Sequence, residues 1–211
     1  MRGQFITFEG GEGAGKSTQA ARLAERLREA GLTVLMSREP GGSPMAERLR
    51  VALTGPVGAN LSADDQAVLF AAARANHVDQ VIAPALEAGT WVICDRFADS
   101  TEAYQGTAGV PASVLATLRQ VAVGPNEPNL TLVIDVPPDV GLARARARNA
   151  LDSFEKAALS VHVDRREAFL AIAAREPERC VVIDGTADAD TIADAVWTAV
   201  YERLPVPLET D

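Results

Sequence analysis

Lys16 is one of only two lysines in the chain, the other being Lys156. It closes the run Gly10-Gly11-Glu12-Gly13-Ala14-Gly15-Lys16-Ser17, which fits the pattern G-x-x-x-x-G-K-[ST] at every fixed position. Glycines let a backbone curl until several N–H groups converge on one point. The helix that this pattern opens adds about half a positive charge there. Such a cradle suits a phosphate group. Lys16 supplies a mobile cation, Ser17 a hydroxyl for Mg²⁺, and Thr18 lies in the first helical turn; a nucleotide such as ATP is the implied ligand. A ligand-free glycine-rich turn would use the same residues, but the scarcity of lysine argues against accident.

A second chemical feature is Thr90-Trp91-Val92-Ile93-Cys94-Asp95, an apolar strand ending in a carboxylate. In P-loop proteins an Asp so placed belongs to the magnesium shell. A strand-ending Asp also caps ordinary turns. The following Arg96 favours the first reading, because it sets a cation beside the phosphates.

These residues need a scaffold. Short apolar runs predict strands over 5–8, 33–36, 91–94, 130–135 and 181–183. Helical patterns lie between them, over 16–30, 111–123, 138–148, most of 153–175 and 190–204. Ser43 is suited to cap a helix with Pro44 at its first position. Ser62 starts another, running toward residue 88 with a break near Pro84. The strands are continuously apolar rather than alternating, the mark of parallel strands buried on both faces. The expectation is an open α/β fold with a five-stranded parallel sheet flanked by helices and with ligands at the carboxyl ends of its strands.

The 211 residues fit one domain, expected over 1–204 with a frayed tail at 205–211, and 47% hydrophobic content supports a sizeable core. A net charge of −9 argues against broad binding to nucleic acid or anionic membrane. Cys94 and Cys180 are too few and too far apart for a disulfide framework or a zinc site, which suits a reducing cytoplasm. No leader is expected ahead of the first strand. No run approaches the roughly 18 apolar residues of a membrane span. Neither lysine lies in an N-K-x-D loop, so a GTPase is not the expectation.

Further along the chain a specific resemblance emerges. After Phe8-Glu9-Gly10 and the glycine cradle come Arg38-Glu39-Pro40-Gly41-Gly42, then Leu69-Phe70 with Arg74. Asp95-Arg96-Phe97 continues through Ser100 to Ala103-Tyr104-Gln105-Gly106, and Arg144-Ala145-Arg146-Ala147-Arg148 follows. From about Phe5 to Val200 the chain resembles the thymidylate kinases, nucleoside-monophosphate kinases of P-loop fold that convert dTMP to dTDP with MgATP. Gly13 in the loop, with basic residues in the lid instead, looks like the bacterial type.

The resemblance implies roles that the residues alone leave open. Phe70 would stack on thymine and Arg74 would reach a thymine carbonyl; their i,i+4 spacing is equally met by a core Phe beside a surface Arg. Arg96 would hold the dTMP phosphate, with Arg38 helping unless it pairs with Glu39 or another neighbour. Glu12 would touch the sugar 3′-hydroxyl. Tyr104 would crowd out a 2′-hydroxyl unless it is a core tyrosine. Ser100 and Gln105 are further substrate contacts. Arg144 and Arg148 share a helix face leading into a lid at about 144–160, where they would neutralise the transferring phosphoryl group; a solvated charged face is the plainer reading. Leu151-Asp152-Ser153-Phe154-Glu155 departs from the family, since Ser153 stands where an arginine is common. Lys16, Ser17 and Asp95 complete the expected machinery, and a homodimer is expected by resemblance. His77 and His162 read as structural. A kinase for another monophosphate, or a slow ATP-hydrolysing switch, would share the P-loop without the thymine pocket.

Overall fold

The structure is a computed structural model and describes residues 2–147 and 157–206. Five parallel strands form one sheet in the order β2-β3-β1-β4-β5. They are β1 (Phe5–Glu9), β2 (Val34–Arg38), β3 (Trp91–Asp95), β4 (Leu130–Asp135) and β5 (Cys180–Asp184). The three inner strands are buried almost throughout, while β2 and β5 at the edges alternate with solvent. Continuous apolar character therefore marks the centre of the sheet, as expected for strands covered on both faces.

The chain order places α1 (Lys16–Glu29) after β1, and α2 (Pro44–Thr54) and α3 (Ala63–His77) after β2. Ser43 and Ser62 cap α2 and α3 through bonds from Ala46 N and Asp65 N. After α3 the helix widens into a π-type turn at Val78–Ile82 before α4 (Ala83–Glu87). Pro84 lies in the first turn of α4, where its missing N–H costs nothing. The expected break is thus one turn ahead of the proline.

Between β3 and β4 lie α5 (Ala98–Thr107) and α6 (Ala112–Val123); then come α7 (Pro138–Arg146), α8 (Leu159–Arg175) and α9 (Ala189–Arg203). The pattern over 98–107 did not predict α5. Its sequence, ADSTEAYQGT, is buried on several sides and has no apolar stripe to read. Val206, expected in the frayed tail, packs against the main core.

Side chains alternate along β1. Ile6 and Phe8 enter the core shared with α1 and α9, while Phe5 faces the cluster around α4 and Phe97. Glu9 shares the face of Phe5 and Thr7, and meets the start of α5. The carboxyl ends of β1 and β3 are thereby brought together with α5 above them.

Candidate active site

The loop after β1 opens into α1, whose N-cap is Gly15 with no side-chain cap and no acid in the first turn. The N–H groups of the helix start are therefore placed where an anion could meet them. Gly13 has φ +65, and a Cβ there would lie 1.9 Å from the carbonyl of Gly141 in α7. Glycine is therefore required both by conformation and by the closeness of α7. Lys16 Nζ donates to the carbonyls of Gly10 at 3.1 Å and Gly11 at 2.7 Å, which holds it along the loop. Burial and the Arg96 charge push Lys16 down to about 8, against the pull of Glu12, Asp95 and Glu9. Thr18 is exposed in the first turn.

Ser17 Oγ donates to the carboxylate of Asp95. A hydroxyl and a carboxylate in contact are hard oxygen donors that fit Mg²⁺, an ion usually bound by one or two protein groups plus phosphate and water. Among the described residues no cluster of three or more His, Cys, Asp or Glu forms a metal cage.

Arg96 follows Asp95 with φ 69, a left-handed conformation that a non-glycine residue seldom adopts. Its guanidinium donates to Gly10 O at 3.1 Å, Ser100 Oγ at 3.1 Å and Glu12 Oε1 at 3.0 Å. Tyr104 also donates its hydroxyl to Glu12. Burial pushes the Glu12 carboxyl up, but Arg96, Lys16, Tyr104 and Arg165 together outweigh it and hold the group down at about 2. Glu12 is therefore an anion at the junction of the phosphate loop and the cavity beside it. The Tyr104 ring lies under two guanidiniums, Arg96 at 5.1 Å and Arg165 at 4.3 Å.

That cavity encloses about 610 Å³, open mouth included, and is walled by α3, α5 and the end of β2. Glu12, Phe70, Arg74, Arg96, Ser100, Tyr104 and Gln105 all line it. Phe70 is half-buried. Arg74 is almost wholly buried: Nε donates to Glu39 at 2.7 Å, and Nη2 to Phe97 O and Thr101 Oγ1, each at 3.0 Å. Glu39 is shared with His77 Nδ1 at 3.0 Å, so His77 serves structure through the pocket wall. Gln105 is buried and donates to Gln66 Oε1 at 3.2 Å.

Arg38 is not in the wall. It is exposed and donates to both oxygens of Glu47 at 3.2 Å. Alternation along an extended chain sends Arg38 outward and Glu39 inward. The pairing with a neighbour that the sequence left open is realised, with Glu47 in place of Glu39. Arg50 from α2 lines the cavity instead, and its Nη1 donates to Pro40 O at 2.7 Å. No spacing signal singled out Arg50 among the arginines of α2. Arg144 is exposed on α7 and donates to Gly185 O at 2.9 Å, away from the cavity lining. Arg148 and Ser153 lie outside the described residues.

One anion cradle opens beside a second pocket, and Glu12 and Arg96 belong to both. That arrangement defines a P-loop kinase acting on a small phosphorylated acceptor. A family model described as Thymidylate kinase matches residues 8–196. Thymidylate kinases of Afipia carboxidovorans and Nitrobacter winogradskyi are 53% and 54% identical, covering 96% of this chain in each case and 91% and 90% of their own. The crystal structure of thymidylate kinase from Ehrlichia chaffeensis superposes with a TM-score of 0.77 at 32% identity, covering 95% of this chain and 99% of that one. The chain belongs to the thymidylate kinase family.

Proposed function

We propose how this chain carries out its family's reaction, the phosphorylation of dTMP by ATP. The observation that carries the reading is the sharing of Glu12 and Arg96 between the phosphate cradle and the Phe70/Arg74 pocket. ATP lies with its phosphates in the loop 10–17 and at the start of α1. The thymine stacks on Phe70, with Arg74 at its polar edge and Gln105 beside it. Arg96 and Ser100 bind the dTMP phosphate, Glu12 accepts from the 3′-hydroxyl, and Tyr104 flanks the deoxyribose.

A phosphate oxygen of dTMP attacks the γ-phosphorus in line. The new O–P bond forms as the bond to the β-phosphate oxygen breaks, and ADP leaves. The nucleophile is already an anion, so no strong base is needed. Lys16 and Arg96 align the two phosphates and neutralise charge that develops between them. Ser17 and Asp95 are the residues that would hold Mg²⁺, whose chemistry is to neutralise the β- and γ-phosphate oxygens.

Further readings rest on the resemblance. The chain reads as one kinase domain that runs past 204 to the packed Val206, and by resemblance Arg144 and Arg148 would meet the transferring phosphate from a lid at about 144–160. The free, buried Cys94 and Cys180 support a cytoplasmic setting, and among the described residues no helix is long and apolar enough to cross a membrane. Val68 and Ala72, one turn apart on the exposed side of α3, support a homodimer through that helix. Sedimentation at micromolar protein distinguishes dimer from monomer.

The site reading is tested by following label from γ-³²P ATP into dTDP. Phe70→Ala removes a stacking surface worth about 1–3 kcal/mol, so KM for dTMP rises about 5- to 150-fold while KM for ATP holds. Equal effects on both substrates, or none on dTMP, contradict it.

A further inference from the structure

The mechanism above does not use the buried acid Glu9. Glu9 ends β1 and is fully buried. Its Oε1 accepts from Phe97 N at 2.7 Å and Ser100 N at 3.2 Å, and its Oε2 from Ser100 Oγ at 2.6 Å. These partners are the N-cap residue of α5 and the third residue of its first turn. Helices ordinarily satisfy those two N–H groups with a capping box, in which the N-cap and the third residue exchange side-chain bonds. Phe97 has no oxygen to offer, and α5 has no side-chain cap of its own. A single carboxyl group from the neighbouring strand takes both roles; burial and the neighbouring Asp99 raise its pKa to about 7, against the bonds from Ser100 and Phe97 and the Arg96 charge, so the capping rests on its acceptor geometry.

The same carboxyl group brackets Arg96. The Arg96 N–H donates to Phe8 O at 2.9 Å, and the next N–H, that of Phe97, donates to Glu9. The left-handed residue is thus pinned on both sides to consecutive residues of β1. Its conformation is what lets the guanidinium turn back over Gly10 and Glu12. Beyond the cap, α5 carries Ser100, Tyr104 and Gln105 into the pocket wall.

We propose that Glu9 is a positioning residue for the acceptor site: it caps α5 in trans and holds Arg96 in its left-handed turn, locking the dTMP pocket to the strand that carries the P-loop. The inference rests on the reading of that pocket as the dTMP site. Glu9 touches neither substrate and acts through Arg96 and Ser100.

Glu9→Gln is the decisive variant. It is isosteric and keeps the Oε1 acceptor for both backbone N–H groups. It replaces Oε2 by an N–H₂ donor facing Ser100 Oγ, which already accepts from Arg96. The Ser100 hydroxyl proton then loses its acceptor and must turn away, and the new donor competes with Arg96 for the two lone pairs of Oγ. Glu9→Ala removes the cap altogether. With the wild type as reference, KM for dTMP in Glu9→Gln rises about 10-fold, that in Glu9→Ala rises further, and KM for ATP changes less than about two-fold. Melting of Glu9→Gln stays close to that of the wild type. A folded Glu9→Gln with unchanged KM for dTMP, or with both KM values rising together, overturns the proposal. Failure of the wild type to phosphorylate dTMP strikes the underlying pocket reading instead.

Discussion

Removing the Tyr104 hydroxyl and removing the whole ring have different consequences. The hydroxyl donates to Glu12, a buried carboxylate that remains charged. Hydrogen bonds to charged groups contribute about 1.5–3 kcal/mol. Tyr104→Phe therefore loses about 2 kcal/mol of stability, a fall of about 4–8 °C in Tm for a chain of this size. The ring itself stays held against the Arg96 and Arg165 guanidiniums and against Phe169, whose centroid lies at 6.3 Å. If the ring edge excludes a 2′-hydroxyl, Tyr104→Phe keeps the preference for dTMP over ribothymidine monophosphate. Tyr104→Ala opens the space and reduces that preference by about ten-fold or more, the equivalent of 1.4 kcal/mol. The assays are thermal melting and kcat/KM with the two sugars. Tyr104→Phe melting with the wild type would refute the hydroxyl's part. Phe and Ala variants admitting the ribonucleotide equally would refute steric exclusion by the ring.

Other outcomes follow from the same geometry. Lys16→Ala loses the loop's cation and transfers phosphate at least about a thousand-fold more slowly while its circular dichroism is retained; near-normal turnover would remove the P-loop assignment. Lys16 is held at about 8, so the ammonium that meets ATP is present below that pH and lost above it. kcat/KM for ATP, which reports the ionisation of the free enzyme, therefore falls above about pH 8, and a flat profile through that range contradicts the charge assignment. Arg74→Met removes the guanidinium from buried Glu39 and leaves the 3.0 Å contact with His77 Nδ1. Loss of one partner of a buried pair costs about 3–5 kcal/mol, read as a lower Tm together with a raised KM for dTMP; an unchanged Tm contradicts it.

The parts of the site written in consecutive residues were legible in the sequence. The glycine cradle and Lys16 form by local geometry, whereas Asp95 was legible as the end of a strand and its contact with Ser17 comes from the pairing of β1 with β3. Phe70 and Arg74 followed from one helix face once the resemblance gave them a partner. Three features could not be read because they depend on tertiary neighbours. Helix α5 is enclosed and so lacks an amphipathic stripe. Arg38 and Glu39 differ by one residue in alternation, and only the packing of α3 decides which of them faces inward. Glu9 looked like the end of a strand, and its work as a cap appears only when α5 is set beside β1.

The most direct measurement is ADP release from MgATP with dTMP, dUMP, ribothymidine monophosphate, dCMP, AMP and GMP offered in turn. A methyl group in an apolar pocket is worth about 1–3 kcal/mol, so dUMP is a weak substrate rather than a forbidden one. Strong turnover with dTMP, weak turnover with dUMP and little with the others is the expected result. A better substrate among the other monophosphates would contradict the thymine and sugar assignments, and ATP hydrolysis indifferent to every acceptor would contradict phosphoryl transfer to dTMP itself.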